Sequence, residues 1–277
     1  MTVVTEAPVL VSTDWLALRE PADAQARASE LVERLRWHLP NDECPVIYDL
    51  GCGTGSMARW LAPQLDRAQH WILYDRDPAL LAYAAASVPA IAAGGARITA
   101  ETHQRDITRL VPADLAGASA ITAAALLDML TEDELSRLIA SCIEAGCPVL
   151  ITLSVVGRVD LTPADRLDET IVEAFNAHQR RTTGGRQLLG PDAVDVAADL
   201  FTQHGAEVLV RSSPWRLGSA CGALTTEWLI GWLGAAVEQD PGLAELATAY
   251  LHRRLDELAS GRLGVTVHHR DLLAVPS

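Results

Sequence analysis

Residues 48–61 read YDLGCGTGSMARWL, and this stretch decides the fold. Glycines at 51, 53 and 55 alternate with other residues, after an apolar run and before a segment with helical spacing. Glycine permits a sharp turn and a close approach of the backbone to a ligand, because it has no Cβ. The pattern therefore predicts a strand, a tight ligand-binding loop and a helix that begins at Ser56.

Short apolar runs alternate with helical patterns around this loop. The predicted strands cover residues 44–50, 70–75, 96–101, 119–124 and 148–155. The helix before the last of them spans 131–146, where Thr131 and Glu134 have the spacing of a capping box. The alternation predicts an α/β fold with a doubly wound, mostly parallel sheet, which binds ligands beyond the carboxyl ends of its strands.

The chain beyond residue 155 departs from this regular alternation. Residues 156–190 show little periodicity and are predicted to form an insert or cap of helix and loop. Residues 191–277 are predicted to hold helices and two strands, 206–213 and 262–275. Because no regular crossover separates these strands, we expect an antiparallel edge pair. The chain is therefore predicted to be one domain with a cap.

Composition excludes several functions. All 22 basic residues are arginine, so the chain lacks the lysine that a P-loop or a pyridoxal enzyme requires. A net charge of −14 argues against nucleic acid as a partner. We find neither an apolar run long enough to span a membrane nor an export signal. The five scattered cysteines include no C-x-x-C pair, which favours a reducing, cytoplasmic compartment.

Carboxylates stand at the ends of the first three predicted strands. Asp49 precedes the glycine loop, where it would repel a pyrophosphate but suit an ammonium group. Asp75 can accept two hydrogen bonds from a ribose diol. Asp106 can accept one from an adenine amino group, with the N–H of Ile107 facing a ring nitrogen. Amine, ribose and adenine without phosphate occur together in S-adenosylmethionine.

A nicotinamide or nucleotide-sugar enzyme is the alternative for a glycine-rich loop of this kind. Its pattern would be G-x-G-x-x-G, whereas Ser56 occupies the place of the third glycine. That serine and the acid at position 49 both count against this alternative.

Residues 46–155 resemble the class I S-adenosylmethionine-dependent methyltransferase family. YDLGCGTGS (48–56) matches its first motif, ILYDRDPALL (72–81) its second, and RDIT (105–108) its adenine-side loop. The resemblance implies a seven-stranded sheet whose last strand is antiparallel, with the glycine loop under the methionine end of the cofactor. The residues predicted at the cofactor are Asp49, Gly51, Cys52, Gly53, Gly55, Asp75, Arg76, Asp106, Ile107 and Ala123.

The resemblance also suggests how the chain is divided. It implies a cofactor-binding core over 44–155 and an N-terminal segment, 1–40, that covers the cofactor; within it, residues 22–39 have helical spacing. Trp15 is a candidate to close the pocket. Arg19 is a candidate partner for the methionine carboxylate, and a surface arginine packed beside a tryptophan is the alternative.

Methyl transfer from a sulfonium needs orientation and exclusion of water, and a base only where the nucleophile must lose a proton. The stretch TAAALLDML (122–130) follows the fourth strand and faces the methyl group in this family. It predicts an apolar wall with Asp128 as its one titratable group, which either acts on the acceptor or stabilises the next helix. His178, in the predicted cap, is the second candidate base because imidazole titrates near neutrality, and a solvated helix end is its alternative.

We therefore expect a cytoplasmic methyltransferase that uses S-adenosylmethionine on a small, partly apolar, neutral or cationic acceptor. Nucleic acid, a membrane and a metal ion are not expected as partners, and a homodimer stays open. The alternative is a non-catalytic module that binds S-adenosylmethionine or its product.

Overall fold

The computed structural model describes residues 12–40, 44–92 and 94–277. Its strands are β1 (Val46–Leu50), β2 (Gln69–Asp75), β3 (Ile98–Gln104), β4 (Ala120–Ala124), β5 (Val149–Thr162), β6 (Thr182–Thr183), β7 (Arg186–Gln187), β8 (Glu207–Ser212), β9 (Trp215–Gly218) and β10 (Gly264–Val275). Its α-helices are α1 (Thr13–Ala26), α2 (Ser29–His38), α3 (Ser56–Leu61), α4 (Pro78–Ser87), α5 (Glu132–Ala145), α6 (Asp168–Gln179), α7 (Ala193–Gln203), α8 (Gly222–Gln239) and α9 (Ala244–Ala259). The first eleven residues of the predicted covering segment lie outside the described ones.

The central sheet confirms the predicted fold class. Its strand order is β3-β2-β1-β4-β5-β10-β8. Strands β1 to β5 pair in parallel, and β10 runs antiparallel to both β5 and β8. The short β9, which the sequence analysis did not separate, pairs with β10 next to β8. Because the first four strands are parallel, their carboxyl ends meet at one edge of the sheet.

Helices cover both faces of the sheet, as alternation along each strand requires. Leu50 and Ile121 belong to the core under α5 and α7. Ile47 and Leu73 belong to the core under α2, α3 and α4. By the same alternation, Asp49 shares the face of Ile47, so its carboxylate is carried into the second core at the edge of the sheet.

A third core forms a lobe beyond the sheet edge, built from the ends of β5 and β10 with β9, α6, α8 and α9. Residues 156–190, predicted to form an insert or cap of helix and loop, contain the end of β5, which continues to Thr162, and helix α6. Val159 and Leu161 pack into the lobe, while Arg158 and Asp160, which alternate with them, are exposed. This part of β5 stays paired with β10, and its alternation is the period-2 pattern of a strand that the sequence analysis overlooked.

The N-terminal segment forms two helices, so the single helix predicted over 22–39 is wrong. The helical pattern is interrupted at Arg27 and Ala28. There the backbone N–H of Ala28 donates to the carboxylate of Asp271 at 2.8 Å. The helix is interrupted because Ala28 binds Asp271, which lies 243 positions further along the chain. No local sequence pattern predicts such a contact.

The helix Ser219–Gln239 has the length and mean hydropathy of a membrane span, which the sequence analysis did not expect. Trp228, Leu229 and Trp232 of this helix are buried in the lobe core. The core helices of globular proteins pass the same test of length and composition, so a single helix of this kind is weak evidence for a membrane span.

A buried arginine joins the helices of the lobe. Arg254 of α9 is 1% exposed. Its Nη2 pairs with Asp168 at 2.5 Å and its Nη1 with Glu257 at 2.8 Å. Tyr250 donates to the same Asp168 at 2.7 Å. Burial alone would lower the pKa of Arg254, but the hydrogen bonds to the two carboxylates raise it instead.

Candidate active site

The glycine loop between β1 and α3 adopts a conformation that requires glycine. Gly51, Gly53 and Gly55 have φ values of +66°, +53° and +83°. A Cβ on Gly51 would lie 3.0 Å from the side chain of Leu126, and one on Gly55 would lie 3.2 Å from Cβ of Ala84. Left-handed backbone and close packing together explain the alternating glycines of the sequence.

Asp75 ties the glycine loop to the end of β2. Its Oδ2 accepts from the N–H of Gly53 and its Oδ1 from the N–H of Asp77, both at 2.9 Å. The N–H of Cys52 donates to the carbonyl of Tyr74 at 2.9 Å. The Asp75 carboxylate is thus fixed at the sheet edge, and each oxygen keeps a lone pair for a hydroxyl donor. Burial raises the pKa of the Cys52 thiol, so this cysteine is not a nucleophile.

The predicted adenine-side residues lie at the end of β3. Asp106 is exposed, and its Oδ1 accepts from the N–H of Thr108 at 3.0 Å. It therefore caps the short 3-10 turn Ile107–Arg109. The side chain of Ile107 is buried in the sheet core, and Arg76 is exposed. Oδ2 of Asp106 lies 3.4 Å from Nε of Arg109 in an exposed ion pair.

Asp49 is the buried carboxylate of the site, only 1% exposed. Its Oδ1 accepts from the hydroxyl of Thr122 at 2.8 Å, and its Oδ2 has no hydrogen-bond partner in the described part of the chain. Burial raises the pKa of Asp49 to about 7, against the opposing effects of Thr122 and Arg27. An unpaired buried acceptor of this kind calls for a donor or a cation from a ligand.

Asp49→Asn is expected to stabilise the free protein at pH 8 and much less at pH 5. The pKa of this group is raised on folding, so its contribution to stability is lost as the pH rises towards 7, and a neutral amide escapes that loss. Urea unfolding of both proteins at the two pH values measures the difference. The exposed Asp199→Asn is the control, and a variant less stable than the wild type at pH 8 would contradict the assignment.

Arg27, at the junction of α1 and α2, is a site residue that the sequence analysis missed. Its Nε donates to Thr152 at 3.4 Å and its Nη2 to Ser56 at 3.3 Å, while its Nη1 is buried and has no partner among the described residues. Burial lowers the pKa of Arg27, and Asp23 counteracts this effect. Nothing local distinguishes this arginine from Arg19 in the sequence.

Arg19, the predicted partner of the methionine carboxylate, has another partner in the structure. Its Nε and Nη2 bind the carboxylate of Asp23 at 2.9 and 3.2 Å, and its guanidinium lies 4.9 Å from the ring centre of Trp215. Trp215 in turn donates to Asp23 at 3.0 Å. The alternative of an arginine packed beside a tryptophan describes these contacts, whereas Arg27 in the same segment has a buried Nη1 without a partner among the described residues.

Helix α1 lies across the glycine loop. Leu16 approaches to 3.4 Å of a Cβ placed on Gly53. Glu20 pairs with Arg59 of α3 at 2.5 Å, and Arg59 also donates to the carbonyl of Thr54 in the loop. The helix is therefore attached to the loop by one apolar and one charged contact.

The chain turns under strain where β4 ends and where β5 passes the same edge. Ala125 and Leu153 have φ values of +50° and +59°, which residues with a Cβ rarely adopt. The N–H of Leu153 donates to the buried carboxylate of Asp271 at 2.7 Å. Ala123, one of the predicted cofactor residues, is buried two positions before this turn. Strain of this kind clusters at functional edges and is retained by surrounding contacts.

Asp128 and His178, the predicted catalytic residues, do not contact each other. Asp128 is partly buried in the turn after β4. Burial raises its pKa, while a backbone hydrogen bond, Arg19 and Arg181 oppose the rise. Nδ1 of His178 accepts from Arg181 at 3.2 Å, so Nε2 carries the proton that faces Glu238 at 3.2 Å. Both nitrogens of His178 are occupied, which favours the structural alternative for this residue.

His269 is a second residue that the sequence analysis did not select. It is 3% exposed, and its ring lies 5.2 Å from that of Trp215. Burial and the nearby Arg19 lower the pKa of His269 to about 3, so the imidazole is neutral. Among the described residues, no group of three or more His, Cys, Asp or Glu side chains is arranged to hold a metal ion.

Part of the chain matches a known protein family. Residues 47–146 match the family model described as a methyltransferase domain. These residues form a class I S-adenosylmethionine-dependent methyltransferase domain. Two solved structures share the fold over 95% of this chain. They are the cyclopropane synthase MmaA2 from Mycobacterium tuberculosis and the apo-form of the mycolic acid cyclopropane synthase CmaA1. The first is 12% identical, with 95% of this chain and 94% of that chain covered and a TM-score of 0.52.

The second structure is 11% identical, with 95% of this chain and 100% of that chain covered and a TM-score of 0.50. No curated protein matches this methyltransferase by sequence. Its cofactor is S-adenosylmethionine, and the residues present fit that molecule. Two of the buried side-chain atoms that have no hydrogen-bond partner among the described residues are an oxygen of Asp49 and a nitrogen of Arg27, which complement the ammonium and the carboxylate of a methionine.

Proposed function

We propose that this methyltransferase acts on a small-molecule acceptor held between the turn after β4 and the C-terminal lobe. The observation that carries the proposal is the position of α1. Leu16 meets the glycine loop, whereas Trp15 and Leu18 pack into the lobe core. A helix that joins loop and lobe in this way restricts the site to molecules that fit beneath it. A cytoplasmic location and the absence of nucleic-acid and membrane partners stay predictions.

The cofactor residues are assigned from their free atoms. Asp75 would accept from the ribose hydroxyls, and Asp49 would pair with the ammonium group. Arg27 would replace Arg19 as the partner of the methionine carboxylate, because its Nη1 is buried and free. Asp106 and the backbone of Ile107 would bind adenine.

The chemistry needs little from the protein beyond orientation and one proton acceptor. Bound S-adenosylmethionine supplies a methyl group that its positive sulfur activates. Leu126 and the buried face of α1 exclude water, and the turn after β4 orients the acceptor. Where the nucleophile is a hydroxyl or a neutral amine, the Asp128 carboxylate would accept its proton as the bond to the methyl carbon forms. Partial burial keeps the Asp128 carboxylate more basic than an exposed one.

A labelling experiment tests the acceptor class. The protein is incubated with S-adenosylmethionine carrying a tritiated methyl group and a bacterial cell extract. We expect the label in the low-molecular-weight filtrate with the wild type and with the exposed control Asp199→Ala, and no transfer with Asp75→Ala. Label that appears in precipitated protein or nucleic acid instead would contradict a small-molecule acceptor.

Asp128→Asn is expected to lower kcat by about 100-fold or more for an acceptor that must lose a proton. The amide keeps the size and the hydrogen bonds of the carboxylate but accepts no proton. Affinity for S-adenosylmethionine should be unchanged, and the acidic limb of the pH–rate profile should disappear. An unaltered pH profile would show that Asp128 only stabilises the turn.

A further inference from the structure

The turn after α6 contains Arg181, whose guanidinium makes hydrogen bonds through Nη1. Nη1 of Arg181 donates to the carbonyl of His178 at 3.0 Å and to the ring Nδ1 of the same residue at 3.2 Å. His178 itself is attached to α8 through Glu238. The opposite edge of the guanidinium, Nε with Nη2, makes no hydrogen bond or ion pair with any described residue. That edge is the one that binds a carboxylate or a phosphate through two parallel hydrogen bonds.

Neighbouring arginines in the same segment do have carboxylate partners. Arg180 binds Asp192 at 2.5 Å, and Arg186 binds Glu134 at 2.6 Å. Both of these pairs attach the segment to the body of the protein, whereas Arg181 contributes no such pair. The free edge of Arg181 is therefore a property of this position and not of the segment as a whole.

The hairpin that follows Arg181 is fixed against the turn that carries Asp128. The N–H of Leu189 donates to the carbonyl of Leu130 at 2.8 Å, and Arg186 donates to the carbonyl of Met129 at 3.0 Å. Arg181 and Asp128 are close enough for the guanidinium to lower the pKa of the carboxyl, yet they form no ion pair. The N–H of Leu188 donates to the carbonyl of Arg181 at 3.3 Å, so neighbouring residues of the hairpin bind Arg181 and the turn that carries Asp128.

We propose that the acceptor carries a carboxylate or phosphate group that Arg181 binds, with its nucleophilic hydroxyl directed at Asp128. This proposal rests on the proposed function and names its substrate class. The methyl group moves from the sulfonium to the nucleophile, the proton of the nucleophile moves to Asp128, and the oxyanion on Arg181 is unchanged. The methylated product therefore stays an anion.

The acidic surface does not contradict an anionic acceptor. It led the sequence analysis to expect a neutral or cationic molecule, from a net charge of −14. At physiological salt, charges more than about 8 Å apart are largely screened, so the contact with Arg181 outweighs distant carboxylates. A covered site strengthens that contact further, because fewer water molecules compete for the guanidinium.

Anion exchange of the extract filtrate tests the proposal. The filtrate is divided at pH 7 into a flow-through of neutral and cationic compounds and a salt-eluted anionic fraction, and each is offered with tritiated S-adenosylmethionine. We expect transfer with the anionic fraction alone and a labelled product that binds the anion exchanger. Phosphatase treatment of that fraction abolishes transfer if the group is a phosphate and leaves it intact if it is a carboxylate.

Other outcomes of this experiment overturn one claim or both. Transfer with the flow-through fraction alone, or a labelled product that is no longer an anion, overturns the anionic acceptor but leaves the small-molecule function standing. Label confined to precipitated macromolecules, or no transfer with either fraction, overturns the two proposals together.

A variant pair separates recognition from structure. In Arg181→Met, the amount of anionic fraction that gives half-maximal rate should rise by about 10- to 100-fold, as expected for lost charged hydrogen bonds. Affinity for S-adenosylmethionine should not change, which also shows that the variant is folded. Arg181→Lys should restore part of the loss, and the neighbouring Arg180→Met should behave as the wild type. An unchanged half-maximal concentration in Arg181→Met, or a loss confined to kcat, would overturn the proposal.

Discussion

Asp75→Ala is expected to weaken the binding of S-adenosylmethionine by about 100-fold or more. The substitution removes the acceptor for the ribose hydroxyls and also leaves the N–H groups of Gly53 and Asp77 without their partner. Hydrogen bonds to a charged group are worth about 1.5–3 kcal/mol each, and two of them exceed the 2.7 kcal/mol that corresponds to about 100-fold. Titration calorimetry on the purified protein measures the dissociation constant directly.

Two comparisons make this experiment decisive. Asp199→Ala removes an exposed carboxylate of α7 and should bind like the wild type. NAD, titrated separately, should release no heat. A folded Asp75→Ala protein with wild-type affinity would remove Asp75 from the cofactor site, and binding of NAD would revive the nicotinamide alternative.

Arg254→Met is expected to lower the free energy of unfolding by about 3–5 kcal/mol, because it removes one partner from a buried charge network. Methionine fills similar space but leaves the carboxylates of Asp168 and Glu257 without their cation, and Tyr250 loses the guanidinium beside its ring. Urea unfolding at pH 7 measures the loss. Because this arginine connects α9 to α6, we expect the lobe to lose more stability than the rest of the protein.

Arg253→Met is the matched control for this substitution. The neighbouring Arg253 pairs with Asp165 at 2.8 Å, but its side chain is 48% exposed. Exposed ion pairs contribute at most about 1 kcal/mol, so this variant should unfold almost as the wild type does. Equal losses in the two variants would mean that burial is not what makes the Arg254 network strong.

The sequence by itself determined the fold class and predicted the edge of the sheet at which the cofactor binds. Both depend on local chemistry. Alternating glycines specify left-handed backbone at 51, 53 and 55, and the period of apolar residues separates strands from helices. The position of Asp75 could also be predicted from the sequence. A carboxylate at the end of one parallel strand must lie at the same edge of the sheet as the loop that follows the neighbouring strand.

Only the tertiary structure decided which arginine is free to meet the methionine carboxylate. Arg19 and Arg27 lie in one segment, and their local sequences do not distinguish them. The guanidinium of Arg19 binds the carboxylate of Asp23. That of Arg27 binds Thr152 and Ser56, and its Nη1 has no partner among the described residues. Partners far apart in the chain make this distinction, and a charged side chain carries no periodic signal that reports them.

The same reason explains the break between α1 and α2 and the free edge of Arg181. Ala28 departs from the helix because Asp271 accepts its N–H, whereas one edge of Arg181 has no partner among the described residues although Arg180 and Arg186 pair with carboxylates. Hydrogen bonds and ion pairs between distant residues form only when the chain has folded. Local pattern therefore predicted the edge of the sheet at which the cofactor binds, and tertiary contacts decided which side chains there keep free donor and acceptor atoms.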